Sequence, residues 1–352
     1  MKIPLAVTYW IVAMLSLGLF TQCSQLEDIL RDVGQEEDQE PPAYVDLPGD
    51  DLFPEGIIAA ENGDLYVTGF GNGAILRITN GEHVETFKQP GEDGLSSAVG
   101  MSIDEVRQRL WVANFFFDTF SSNLKVFDLA SGELLATLTT AEGGAGSFFN
   151  EIAVDAEGRI YLSDTATPSI WTADADLHGV ELLVSDSLLN NPDRPFGLNG
   201  LSLTPEGNYL IASVMDRISP GGGRLVRIGL DDLSVADVAL SGLEKTVATF
   251  GGSDGMFFEQ GQLLMVNVTS PTSIITATFS ADYTQAKLVA RDAFESVYDR
   301  PTASAVRDGR LWTVNSQLDH IIDDENGALG TPPDLPFQLV NVSLAKTLGE
   351  KE

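Results

Sequence analysis

A repeat near fifty residues long runs through most of this chain. Six times, a residue suited to the floor of a cavity opens an apolar segment, and a turn with a short run of the form Gly-x-Leu-aromatic-Val follows. The opening positions are Glu55, Gly100, Asn150, Asn199, Asp254 and Thr302, separated by steps of 45, 50, 49, 55 and 48 residues. Such a period, with strand-like units in every copy, marks a β-propeller: one copy cannot bury its apolar face alone, and neighbouring copies share a core. The predicted fold is therefore all-β, a six-bladed β-propeller spanning residues 43–345.

Each copy has the same internal order. An inner strand starts at the opening residue and continues through apolar positions such as Ile57-Ile58 or Ile152-Ala153-Val154. Turn residues able to take positive φ come next: Asn62-Gly63, Glu157-Gly158, Glu206-Gly207, Gln260-Gly261 and Asp308-Gly309. A second strand follows in Leu65-Tyr66-Val67, Leu110-Trp111-Val112, Ile160-Tyr161-Leu162 and their equivalents, with large residues suited to packing between blades. Third strands are legible around Ile75–Ile78, Leu124–Phe127 and Leu225–Ile228, whereas fourth strands are weak. A propeller must close its ring to remove free edges. Tyr44-Val45-Asp46-Leu47, just before the first blade, is the expected outer strand of the sixth.

The flanks read differently. Residues 1–23 hold a mainly apolar stretch, Pro4 to Phe20, ending in Thr21-Gln22-Cys23. This is an export segment, with Cys23 the candidate lipidation site of a lipoprotein-type signal; an uncleaved membrane anchor and simple secretion are the rivals. Gln22 is unusual before a processed Cys, where small residues are common. The expected location is the periplasm, outer membrane or cell surface. Residues 24–42 carry seven acidic residues and end in Pro41-Pro42, a disordered linker by composition. Residues 346–352 are expected to be a short tail.

Charge narrows the partners. With 52 acidic and 20 basic residues the net charge is −32, so the surface repels phosphate backbones and nucleic-acid binding is excluded as a role. Most of these charges fit a solvated acidic shell of the kind salt-adapted proteins carry. The expected partner is a small-molecule substrate, with membrane contact through the N-terminus only, and the expected state is a monomer. Cys23 is the single cysteine, which rules out an intramolecular disulfide and a cysteine metal site. The three histidines, His83, His178 and His320, fall outside the repeating cavity position.

Four of the six opening residues are oxygen donors. Glu55, Asn150, Asn199 and Asp254 supply two carboxylates and two amide oxygens, the hard donor set of a divalent cation on the propeller axis. The same residues can also simply line a wet tunnel. Glycine follows three of them (Gly56, Gly200, Gly255), which removes bulk where backbones crowd the axis; Glu151 breaks that pattern after Asn150.

Phe53-Pro54-Glu55-Gly56, Phe149-Asn150-Glu151, Asn199-Gly200-Leu201 and Ser253-Asp254-Gly255-Met256, one per blade and in order, resemble segments of the SMP-30/gluconolactonase/LRE-like hydrolases. These are six-bladed metal-dependent propellers related to diisopropylfluorophosphatase and paraoxonase, and the resemblance spans roughly residues 43–345. It implies that Glu55, Asn150, Asn199 and Asp254 bind the metal, most naturally Ca2+, with Mg2+, Mn2+ or Zn2+ as other possibilities. It implies hydrolysis of a lactone or ester, with Asp254 as general base or nucleophile and Glu55 as a charge-balancing ligand. Glu151 departs from the Asp usual in that family. Sugar-acid lactonases resembling this chain carry Arg two residues before the Asn of the third blade, and here that position is Phe148. With Phe115, Phe116, Phe117 and Phe120, expected in a loop over the cavity, Phe148 suggests an aromatic substrate-binding mouth; burial between blades or contact with a membrane are the other readings. The alternative from another class is a non-catalytic binding or scaffold propeller with a structural ion.

Overall fold

The computed structural model describes residues 43–193, 197–216, 221–267, 272–291, 295–321 and 330–348. The apolar segment 1–23 with Cys23, and the acidic linker 24–42, lie outside the described residues. Among the described residues no helix is long and apolar enough to cross a membrane.

Six small antiparallel sheets form the blades of a β-propeller. Blade one holds β2 (Pro54–Ala59), β3 (Leu65–Gly69), β4 (Ile75–Thr79) and β5 (His83–Lys88). Blade two holds β6 (Ser97–Asp104), β7 (Arg109–Phe116), β8 (Ser121–Asp128) and β9 (Leu134–Leu138). Blade three holds β10 (Phe149–Val154), β11 (Ile160–Asp164), β12 (Ser169–Ala173) and β13 (Val180–Ser185). Blade four holds β14 (Leu198–Leu203), β15 (Tyr209–Val214), β16 (Arg224–Gly229) and β17 (Val235–Asp237). Blade five holds β19 (Ser253–Glu259), β20 (Gln262–Asn267), β21 (Ser273–Phe279) and β22 (Gln285–Arg291), with β18 (Ala239–Gly242) added parallel to β22. Blade six holds β23 (Pro301–Arg307), β24 (Arg310–Asn315) and β25 (Phe337–Ser343), and β1 (Ala43–Leu47) pairs with β25 to complete it.

Turn chemistry explains the hairpins. Gly63, Gly158, Gly207, Gly261 and Gly309 all sit at positive φ, between 69° and 86°, in the five predicted turns. The fourth strands, faint in the sequence because their residues are half-exposed outer positions, form by pairing with the third strands, and that of blade four is only three residues long. β5 and β13 alternate too weakly to signal a strand and are held by pairing with β4 and β12.

The core lies between blades. Tyr66 of blade one is buried among Met101, Leu110 and Val112 of blade two, and its hydroxyl donates to the Leu129 carbonyl at 3.3 Å. Trp111 packs in the same apolar cluster as Ile152 and Ile160 of blade three, and Tyr161 with Leu198 and Leu210 of blade four. The chain does not end structurally at 345: a short helix, α1 (Leu344–Thr347), seals the blade five–six junction, with Leu344 and Leu348 buried against Leu264, Val266 and Leu311.

Ring closure depends on Val45 and Leu47, which turn inward from β1 while Tyr44 points outward. Leu47 is 2% exposed and packs in a core cluster with Phe337 and Leu339. Leu47→Ala is expected to cost about 3 kcal/mol, some 6 °C in a domain this size. Tyr44→Ala should cost under about 0.5 kcal/mol. Thermal melts of the two variants check this, and equal melting points would contradict a structural role for the closing strand.

Candidate functional site on the propeller axis

All six inner strands carry a β-bulge at the same place. The registered pairs Pro54–Gly69 and Ile57–Val67 leave two residues, Glu55 and Gly56, opposite the single residue Thr68. The same irregularity separates Ala98 from Met101, Phe149 from Ile152, Leu198 from Leu201, Ser253 from Met256 and Pro301 from Ser304. A bulge bends a strand and re-aims the side chains of its extra pair, and bulges recur beside functional sites. Here each one delivers its first residue to the axis.

The bulge register corrects one sequence expectation. Glu55, Asn150, Asn199, Asp254 and Thr302 are equivalent first-bulge residues, but their counterpart in blade two is Val99, and Gly100 is equivalent to Gly56. Glycine was the more conspicuous letter in the repeat, and only the pairing separates the two positions. Blade two therefore contributes an apolar side chain.

Glycine at the second bulge position lets neighbouring inner strands touch. A Cβ on Gly100 would lie 2.3 Å from the Asn150 carbonyl oxygen, one on Gly200 2.2 Å from that of Asp254, and one on Gly255 2.9 Å from that of Thr302. Hydroxyls complete the staples. Thr68 accepts from the Gly56 amide at 2.8 Å and donates to the Val99 carbonyl at 2.6 Å. The Thr302 hydroxyl donates to the Glu55 carbonyl at 2.6 Å, joining the last blade to the first. Two blades depart from glycine at the second bulge position: blade six has the small Ala303, and blade three has Glu151.

Glu55, Asn150, Asn199 and Asp254 are all between 2% and 6% exposed, so their polar atoms are largely removed from bulk water. Burial pushes the Glu55 carboxyl well above the usual carboxylate range, reinforced by repulsion from Asp254 and then from Glu151. Glu151 is pushed up to about 8, chiefly by burial and next by Asp254, against the opposing hydrogen bond from the Ile152 amide. Three carboxyl groups on alternate blades one, three and five thus share one electrostatic space. The Asn199 Oδ1 is buried without a hydrogen-bond partner, a state that costs roughly 1–3 kcal/mol unless something supplies one.

These residues fit a hard divalent cation: two buried carboxyls and two amide side chains, one of them with its Asn199 Oδ1 lacking a protein partner, stand at equivalent positions of the inner strands. Among the described residues no three His, Cys, Asp or Glu side chains are grouped closely enough to hold an ion by themselves, so amide oxygens would have to complete the shell. Glu151 then acts on the site through its field. The sequence marked it only as a break in the glycine pattern, and that break was the signal for a third axial carboxyl.

The predicted aromatic mouth is built differently from expectation. Phe115 and Phe116 end strand β7 and are not in a loop, because β7 and β8 pair two residues beyond Asn114. Phe115 is fully buried and stacks on Phe148 at 4.2 Å, with the rings 18° from parallel. Phe70 of blade one meets Phe117 at 5.5 Å, and Phe117 and Phe120 remain exposed.

The sequence also held an unread motif. Asn114 lies two residues before the end of β7, and Asp164, Asn267 and Asn315 hold the equivalent position at the ends of the second strands of their blades. Their side chains accept the amides of Ser96, Phe148, Gly251 and Asp299 at 2.7, 2.9, 3.4 and 3.0 Å. Each bond anchors the approach to an inner strand. Asp164 also accepts from Ala166, Thr167 and Trp171, which fixes the chain just before Asn150. Two surface grooves of about 480 and 370 Å³ lie at blade edges and contain none of the axial residues.

No protein-family model matches this chain, and no curated protein does. Solved structures do resemble it. The Malassezia sympodialis allergen Mala s 1 is 19% identical, with a TM-score of 0.63, over 85% of this chain and 96% of that one. A Xanthomonas campestris gluconolactonase is 14% identical, with a TM-score of 0.57, over 87% and 91%. Virginiamycin B lyase from Staphylococcus aureus is 12% identical, with a TM-score of 0.56, over 86% and 99%. At these identities the likeness establishes the propeller fold, one shared by several enzymes of different chemistry.

Two tests follow from the geometry. Gly200→Ala forces the Asp254 backbone to move, so thermal melts are expected to show a loss of about 2 kcal/mol while circular dichroism stays that of a β protein. An unchanged melting point would contradict the crowding argument. The second test concerns pH. A carboxyl whose folded pKa is raised favours the fold when protonated, so its contribution is full below the ordinary value near 4.5 and is lost as pH rises toward about 8. Cation-free protein should therefore lose roughly 3–4 kcal/mol, about 7 °C, between pH 5 and 8 through this group, and Glu151→Gln should remove that slope. A slope identical in the variant would contradict the assignment.

Proposed function

We propose that this chain is an exported metal-dependent hydrolase of the SMP-30/gluconolactonase type, which opens a lactone or cleaves an ester on the propeller axis. The carrying observation is the axial constellation itself: carboxyls of Glu55 and Asp254 buried within range of each other, beside a buried Asn199 Oδ1 without a partner. Such a set is costly alone and becomes favourable when a cation joins it. Calcium suits hard oxygen donors best, with magnesium, manganese and zinc as further candidates. When bound, the ion supplies charge for a developing oxyanion.

The chain's own residues supply the rest. Asp254, fixed on a bulge whose preceding amide donates to the Ser213 hydroxyl at 2.6 Å, accepts the proton of the attacking water. Glu55 balances charge, and Asn150 and Asn199 orient neutral oxygens toward the same point. Export rests on residues 1–23 with Cys23 as the lipid attachment point, and the chain acts as a monomer. The gluconolactonase among the fold's neighbours is consistent with lactone chemistry.

A second reading has one observation in its favour: the neighbour named only as an allergen shows that the fold comes with names that state no reaction. In that reading the chain is a binding or scaffold module and the ion pins the blades. A hydrolysis panel of lactones, simple esters and phosphotriesters, run with and without chelator, separates the two. The expected result is chelator-sensitive lactone or ester hydrolysis, reduced at least a thousandfold by Asp254→Asn in a protein that still melts cooperatively. Calcium binding with no turnover anywhere in the panel would favour the scaffold.

A further inference from the structure

Blade two departs from the other five in two linked ways. Its axial position is Val99, buried and apolar where blades one, three, four and five offer oxygen donors. Its second and third strands also run on. β7 is eight residues long against five or six in the second strands of the other blades, and β8 eight against five to seven in their third strands. The added pairs, Phe115–Ser122 and Phe116–Ser121, carry the hairpin roughly 7 Å past the level where the others stop.

The extension is braced. Ser122 donates its amide to the Gly144 carbonyl at 3.1 Å and Gly146 donates to the Phe120 carbonyl at 2.9 Å, so the connection to blade three lies along the hairpin as a further edge. Phe115 stacks on Phe148, two residues before Asn150. Phe117 meets Phe70 edge-on at 5.5 Å, and the Phe70 amide donates to the carbonyl of Phe53, two residues before Glu55. The hairpin is therefore tied at both sides to the segments that lead into the axial residues of blades one and three.

At its tip, in the turn Phe117–Phe120, two aromatic rings are left in water at 52% and 41% exposure. Phe120 is held at φ 46°, a left-handed conformation uncommon for a bulky side chain. Each ring rests edge-on against Phe115, at 4.9 and 5.4 Å, and leaves its other face exposed. Beneath them Phe70, Phe115 and Phe148 pack on one another, in the same apolar cluster as Val99.

We infer that this hairpin is the specificity element of the axial site: Phe117 and Phe120 grip the apolar tail of a lactone or ester whose polar head sits among the donors of blades one, three, four and five. The inference rests on the hydrolase reading for the identity of the head group. The substrate class is a lactone or ester with a medium-length alkyl or aryl substituent, not a polyhydroxylated sugar lactone. A lipid surface is the competing occupant of exposed aromatics. The net charge of −32 and the acidic Asp118 within the turn oppose it on anionic membranes.

The experiment uses γ-lactams, which resist hydrolysis, bearing ethyl or decyl chains, titrated by calorimetry into the protein with calcium present. The decyl lactam is expected to bind at least thirtyfold more tightly than the ethyl one. Phe117→Ser/Phe120→Ser should cut that ratio at least tenfold, and Val106→Ser, an 81% exposed control in another turn, should leave it unchanged. Equal affinity for both chains, or a ratio unmoved by the double variant, overturns the inference. So does Phe117- and Phe120-dependent binding to phosphatidylcholine vesicles without chain-length selectivity in the lactams. Because binding is read directly, absence of turnover in the parallel hydrolysis panel would remove the hydrolase reading while leaving the apolar-tail site standing or falling on the calorimetry.

Discussion

Six inner strands meeting at one axis create a crowding problem, and the repeated β-bulge is how this chain solves it. Each bulge gives two residues where the neighbouring strand has one. The first of the two faces the axis and the second lies against the next blade's backbone. Glycine fills the second position wherever carbonyls come within about the radius of a methyl group, as at Gly100 and Gly200. Everything chemical about the site follows from that division, because side chains are presented to the axis only at the first position, with Glu151 as the exception.

The distribution of those side chains is uneven in a way that makes chemical sense. Blades one and five present carboxyls, blades three and four amides, blade six a hydroxyl already committed to the Glu55 carbonyl, and blade two a valine. Like charges in a buried space repel, and both Glu55 and Glu151 are driven toward their protonated forms by burial and by Asp254. Buried carboxyls held this close, beside an Asn199 Oδ1 with no protein partner, are costly unless an outside group compensates them, and that is the physical motive for the proposed cation.

Much of this was legible beforehand. The fifty-residue period, the five glycine turns and the closing strand around Val45 and Leu47 are direct consequences of turn stereochemistry and of alternation with a buried face. The axial residues of blades one, three, four, five and six were identified correctly as equivalent. Gly100 was not, because a one-residue displacement inside a bulge leaves no trace in period or polarity; only pairing to Asn114 and Val112 reveals Val99. Glu151 was hidden for the same reason, its direction being set by the bulge. Phe115 and Phe116 read as a loop because consecutive aromatics after a strand carry no period, whereas pairing to Ser121 and Ser122 is long-range. The terminal helix around Leu344 was too short for any periodic signal.

The account stands on a cation at the axis, and anomalous diffraction from crystals soaked in a lanthanide or manganese salt tests it most directly. The predicted result is a single strong peak on the propeller axis, about 2.0–2.6 Å from oxygens of Glu55, Asn150, Asn199 and Asp254, with Asn199 Oδ1 among them. An axis without a peak, or a peak that leaves Asn199 Oδ1 unligated, would contradict it.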